Sequence, residues 1–67
     1  MSEPQEIWAK IVKADELLKY ATTERSEARR EQARRLYEEA LAEAEAIGND
    51  ALATQASRRL TDLSGAS

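Results

Sequence analysis

The chain has 67 residues and a formal net charge of −3, and it contains no cysteine, no histidine and no phenylalanine. These absences exclude disulfides and remove the ligands on which structural zinc sites depend. A core in a chain this short rarely contributes more than about 3–5 kcal/mol, so well-formed helices and association are the remaining sources of stability. We expect one helical domain over residues 1–67.

The first predicted helix covers about residues 3–21. Ser2 and Gln5 occupy the two positions of a capping box, and Pro4 fits a first turn because amides there have no partner within the helix. Apolar residues then recur at steps of four and three, at Ile7, Ile11, Ala14, Leu18 and Ala21. This spacing is typical of an amphipathic helix facing a core. We expect Trp8, beside that stripe, to lie in the core as well.

The second predicted helix covers about residues 24–47. Thr22 and Thr23 mark the turn before it, although its start could lie as late as Ser26. The same spacing returns here at Ala33, Tyr37, Ala40, Ala44 and Ile47. Gly48 predicts the end of the helix, because glycine adopts the left-handed conformation after a last turn at little cost.

The third predicted helix covers about residues 50–63 and ends near Gly65. Asn49 or Asp50 can cap its first turn. Its apolar face consists of Leu52, Ala53, Ala56, Leu60 and Leu63. The sequence therefore predicts an all-α fold, in which three antiparallel helices run up, down and up with short connections.

Opposite charges fall level with one another if the two turns are placed as above. The predicted pairs are Asp15 with Arg30, Glu16 with Arg29, Arg58 with Glu39, and Arg59 with Glu38. Trp8 would lie level with Tyr37. Exposed ion pairs contribute only about 0–1 kcal/mol each, so these pairs bear on topology rather than on stability.

Residues 33–41 resemble the second helix of a tetratricopeptide repeat. Ala33, Tyr37 and Ala40 match its alanine-aromatic-alanine pattern, and Ala21 stands twelve residues before Ala33, where the repeat has a small residue. The match covers about residues 14–47, a single repeat. Two positions depart from the pattern, since Glu24 and Glu45 stand where an aromatic residue and a proline are usual.

The same residues look like the microtubule-interacting-and-trafficking domain, a three-helix relative of that repeat with a similar length. This resemblance implies a partner's amphipathic helix or extended tail in a groove beside the third helix. No groove residue of that family matches a position in this chain, so the resemblance assigns no binding residue.

Catalysis has few suitable groups in this sequence. General acid–base chemistry at neutral pH relies most often on histidine, and nucleophilic catalysis requires a serine or cysteine beside a base. The two glycines, Gly48 and Gly65, are explained as helix ends rather than as a phosphate-binding loop. We therefore expect a protein that is not an enzyme and that has no catalytic residue, cofactor or metal site.

Arginines concentrate in the second helix and raise the alternative of a small nucleic-acid-associated regulator. They are Arg25, Arg29, Arg30, Arg34 and Arg35. An arginine face can neutralise phosphates, and such binding weakens steeply with salt. Glutamates one turn away and the negative net charge favour a solvated, locally neutralised face instead, so we expect no nucleic-acid partner.

A helix dipole favours acidic residues near the start of the helix and basic residues near its end, and the charges of the second helix have the reverse order. Residues 29–35 hold four arginines and one glutamate, whereas residues 38–45 hold four glutamates and no base. Two copies of the helix, antiparallel and crossing near Leu36 and Tyr37, would align each basic block with the acidic block of the other copy. Alternatively, both blocks could be neutralised within one chain, by Asp15, Glu16, Arg58 and Arg59. The candidate partner-binding residues are Tyr20, Arg30, Arg34, Tyr37, Glu38 and Glu45.

The predicted function is that of a non-catalytic protein-interaction or assembly module. It would associate with itself, as a homo-oligomer and most simply as a dimer, or bind a partner helix. Every apolar run is short and interrupted by charges, which predicts neither a secretory signal nor a membrane span. A charged chain without cysteine favours the cytoplasm.

Overall fold

The computed structural model describes residues 3–20 and 26–65. It contains three α-helices, α1 (Pro4–Lys19), α2 (Ser26–Ala46) and α3 (Asp50–Gly65), and no strand within those ranges. The predicted all-α fold is therefore confirmed. The proposed turn at Thr22 and Thr23 lies outside the described residues, as does any start of the second helix before Ser26.

Helix α1 begins one residue later than predicted and ends two residues earlier. Its N-cap is Glu3, whose carbonyl accepts from the backbone N–H groups of Glu6 at 2.9 Å and Ile7 at 3.1 Å. The Glu3 side chain makes no capping hydrogen bond, and Pro4 occupies the first turn as expected. The proposed cap, Ser2, lies outside the described residues.

The turn between α2 and α3 confirms the local signals in the sequence. Gly48 has a φ of +72°, the left-handed conformation that favours glycine. The N–H of Asn49 donates to the Ala44 carbonyl at 2.8 Å and that of Gly48 to the Glu45 carbonyl at 3.1 Å, the pattern of a Schellman motif. Asn49 then caps α3, since its Oδ1 accepts from the Leu52 N–H at 3.1 Å.

The buried core is narrow and contains few large side chains. It consists of Ile7, Ile11, Ala14, Ala33, Tyr37, Ala40, Ala44 and Ala56. All of these belong to the predicted apolar stripes. The remaining leucines of the stripes, such as Leu18, Leu52 and Leu63, are only half-buried at the margins of this core.

Helix α2 lies between the other two helices. Both α1 and α3 pack along it, whereas α1 and α3 touch one another very little. The alanines of α2 allow this close approach, because small side chains let neighbouring helix backbones come near. The molecule is consequently flat, with dimensions of 37 × 21 × 13 Å.

The ion pairs that join the helices differ from those that the sequence predicted. The described residues contain none of the four predicted pairs (Asp15–Arg30, Glu16–Arg29, Arg58–Glu39 and Arg59–Glu38). Asp15 pairs with Arg59 at 2.9 Å, and Glu39 pairs with Lys10 at 3.3 Å. The prediction placed each charge level with its own Cα, whereas helical side chains lean toward the N-terminus. This lean is opposite in the antiparallel α1 and α2, so Lys10 meets Glu39 away from the predicted level. Asp15 and Arg59 belong to α1 and α3, which run in the same direction, and the prediction paired only consecutive helices.

Candidate interaction surface

A polar cluster with one residue from each helix joins α1 to α3. The Tyr37 hydroxyl donates to Oδ1 of Asp15, and Nε of Arg59 donates to Oδ1 and Oδ2 of the same carboxylate at 2.9 and 3.2 Å. Nη1 of Arg59 also donates to Oε1 of Gln55 at 2.7 Å. Asp15 therefore accepts from α2 and α3 at once and holds the cluster together.

Burial in this cluster raises the pKa of Tyr37 above its ordinary value. Desolvation of the phenol is the main cause, and the adjacent Asp15 carboxylate adds to it because it disfavours a second negative charge. The Arg59 guanidinium acts in the opposite direction. The folded chain consequently holds the phenolic proton more tightly than the unfolded chain does.

This difference predicts a loss of stability in alkali. The contribution of Tyr37 is fully present below its unfolded pKa of about 10 and falls as the pH rises through and above that value. We expect the urea midpoint to decrease between about pH 8 and about pH 11, partly through loss of the lysine charges as well. The decrease should be smaller in Tyr37→Phe, which keeps the lysines, and equal decreases in both chains would contradict the assignment.

Trp8 is exposed, and the prediction that it belongs to the core is wrong. Its residue surface is 44% accessible, and the guanidinium carbon of Arg59 lies 5.8 Å from the centroid of its ring, within cation–π range. Trp8 follows the buried Ile7 directly, so its side chain points about 100° away from the buried stripe, toward an edge of α1 that the other helices leave uncovered. Tryptophan and arginine are enriched among the residues that contribute most to binding at protein interfaces.

A cavity lies two turns further along the same side of α1. Its volume is about 240 Å³, and it is lined by Asp15, Leu18, Tyr37, Arg59, Asp62 and Leu63. We call the surface formed by these residues, Trp8 and Val12 the α1/α3 face. Val12 belongs to it because it lies one turn after Trp8. The face thus combines a protruding aromatic side chain with a nearby recess.

The six candidate residues from the sequence do not form one site. Tyr37 is buried, with 1% of its surface accessible, and contributes to the wall of the cavity rather than to an exposed contact. Tyr20 is 65% exposed at the end of α1, and its ring lies 5.5 Å from Nζ of Lys19. Glu38 is exposed on α2, and Glu45 lines a groove of about 580 Å³ between α2 and α3.

Arg30 and Arg34 are the two candidates that the structure brings together. Both line a groove of about 420 Å³ beside the end of α3. Nη2 of Arg30 donates to the Leu63 carbonyl at 3.1 Å, while Arg34 pairs with Glu31. Each guanidinium therefore makes one bond within the chain and keeps further N–H donors exposed.

The charge blocks of α2 are only partly paired within the chain, and by residues other than those predicted. Nζ of Lys10 donates to carboxylate oxygens of both Glu39 and Glu43, and these two bonds raise the pKa of Lys10 against the opposing effect of burial, Glu43 having the largest influence. In the basic block, Glu31 contacts both Arg34 and Arg35. These contacts pair two arginines of the block with a carboxylate on the same helix, which reduces the local positive charge.

Neither metal-binding nor membrane-spanning features occur among the described residues. No group of three potential ligands there is placed to hold a metal ion, and no helix in those ranges has the length and apolar character to cross a bilayer. Comparison of the chain with protein families, curated proteins and solved structures found no match. The resemblance to tetratricopeptide repeats and to the microtubule-interacting-and-trafficking domain stays a prediction from the residues.

Proposed function

We propose that this chain is a non-catalytic protein-interaction module and that the α1/α3 face is its binding surface. The exposure of Trp8 is the observation that carries the proposal. Tryptophan carries a large, mostly apolar ring system, and this chain has only one tryptophan. A partner that covers Trp8 would remove its apolar surface from water. The small core of this chain, which contains no phenylalanine, does not do so.

The surroundings of Trp8 support the same function. The neighbouring Asp15 and Arg59 pair with each other, so a partner approaching this face meets a neutralised ion pair rather than an isolated charge. The titratable groups of the cluster are engaged in bonds between helices, which supports a binding role over a catalytic one. The cytoplasm is the compartment we propose, since the charged, cysteine-free composition suits it.

Affinity capture with matched variants tests this function. The wild-type chain, Trp8→Ser and Tyr20→Ser are each immobilised, and the retained proteins, including tagged copies of the chain itself, are quantified by mass spectrometry. We expect specific proteins to be retained by wild type and Tyr20→Ser but lost with Trp8→Ser. Identical profiles for all three chains would overturn the α1/α3 face as the binding surface.

A further inference from the structure

We propose that the partner of the α1/α3 face is a second copy of this chain, bound through a two-fold exchange of Trp8 side chains. This inference rests on the proposed function and names the partner. Each Trp8 enters the cavity of the other copy, beside Leu18 and Leu63. The contact is isologous, so each copy contributes the same anchor and the same recess.

The spacing of the anchor and the recess carries the proposal. Trp8 and Asp15, at the edge of the cavity, are separated by two turns, or about 10 Å along α1. A two-fold axis that crosses α1 near Val12 relates these two positions. It sets the two α1 helices antiparallel, with one Val12 opposite the other, and places each Trp8 over the cavity of the other copy. A complex with an unrelated protein would require only the protruding Trp8 or only the cavity on this face. A two-fold dimer requires both.

The cavity has suitable size and chemistry for an indole. The cavity is open to solvent and has a volume of about 240 Å³, so an indole can enter it from the surface. Leu18 and Leu63 supply apolar contacts at its wall. The indole N–H needs an acceptor when it is buried, and the exposed Asp62 carboxylate lines the same cavity.

Charge and area are also compatible with a symmetric dimer. The Asp15–Arg59 pair neutralises the centre of the face, so two copies of a chain with net charge −3 can approach there without strong repulsion. The chain exposes 4831 Å² of accessible surface. The roughly 800 Å² that each partner buries in a standard interface is about a sixth of that surface. The α2 contact suggested by the sequence has less support, because Tyr37 at its crossing point is buried.

Sedimentation equilibrium combined with Trp8 fluorescence tests the dimer. Between about 1 μM and 1 mM, a range that covers weak and moderate affinities, we expect the mass to rise from 7.5 kDa to twice that value. The Trp8 emission maximum should shift to the blue over the same range. Trp8→Ala should weaken association at least about tenfold, whereas Tyr20→Ala should leave it unchanged.

Cysteine crosslinking tests the position of the two-fold axis and remains informative if Trp8→Ala folds poorly. The chain has no cysteine of its own, so a single introduced thiol reports one position. Under mild oxidation, Val12→Cys should form a disulfide-linked dimer faster than Tyr20→Cys, at the end of α1, or Ala42→Cys, on the exposed side of α2. Faster crosslinking of Ala42→Cys would overturn the proposed axis in favour of an α2 contact.

The two proposals fail in different ways. A monomeric mass at the highest concentration would overturn the dimer, and so would a dimer that Trp8→Ala leaves intact. If the monomeric chain still captures another protein through Trp8, only the dimer is overturned and the proposed function stands. If neither self-association nor capture depends on Trp8, both proposals are overturned.

Discussion

Replacement of Tyr37 by alanine is expected to unfold the chain. Tyr37 is the largest buried side chain, and it contacts a core that otherwise consists of two isoleucines and five alanines. Truncation of a buried aromatic residue to alanine costs about 3–5 kcal/mol, because the apolar contacts are lost and a cavity remains. A core of this size supplies about the same amount in total. The side chains of the flanking alanines are too short to fill the space.

Tyr37→Phe is the matched control for this prediction. It retains the ring and removes only the hydroxyl that donates to Asp15, which remains bound to Arg59. A hydrogen bond to a charged group contributes about 1.5–3 kcal/mol, so this variant should fold with a reduced urea midpoint. Circular dichroism checks both outcomes. Native helical content in Tyr37→Ala at 25 °C would contradict the central place of Tyr37 in the core.

A larger side chain at Ala40 is expected to separate α2 from its neighbours. Ala40 is completely buried, and its small size belongs to the stripe that lets α1 and α3 approach α2. Ala40→Leu adds three carbons where no space is available, and overpacking of this kind typically costs about 1–3 kcal/mol. Leucine is a good helix former, so the loss would reflect packing between helices rather than the helix itself.

Ala42→Leu provides the control on the same helix. Ala42 lies two residues away and is exposed, so the same substitution there should change the free energy of unfolding by no more than about 0.5 kcal/mol. Urea denaturation of the two variants measures the difference directly. Equal effects at both positions would show that close packing at Ala40 is not what holds α2 in place.

Both predictions have consequences for binding as well as for stability. Tyr37 forms part of the cavity wall and orients Asp15, which in turn holds Arg59 beside Trp8. A variant that perturbs the core therefore also displaces the α1/α3 face. For this reason the binding experiments rely on Trp8, Tyr20 and Val12, which lie outside the set of fully buried side chains.

The sequence by itself determined the helices and the turn between α2 and α3. Apolar spacing identified the buried stripes of α1 and α2, and Gly48 and Asn49 marked a helix end and a helix start that the structure confirms. These features depend on backbone conformation and on periodicity within a few residues. They are therefore readable without knowledge of how the helices pack.

Only the tertiary structure decided the ion pairs and the candidate interaction surface. Pairing of Asp15 with Arg59 depends on the rotation of α3 against α1 and on the lean of both side chains, which no spacing within one helix encodes. The exposure of Trp8 likewise follows from which edge of α1 the other helices leave uncovered. Helices form through contacts between near neighbours in sequence. The α1/α3 face instead joins residues more than 40 positions apart. The packing of the helices alone therefore decides which residues form this face.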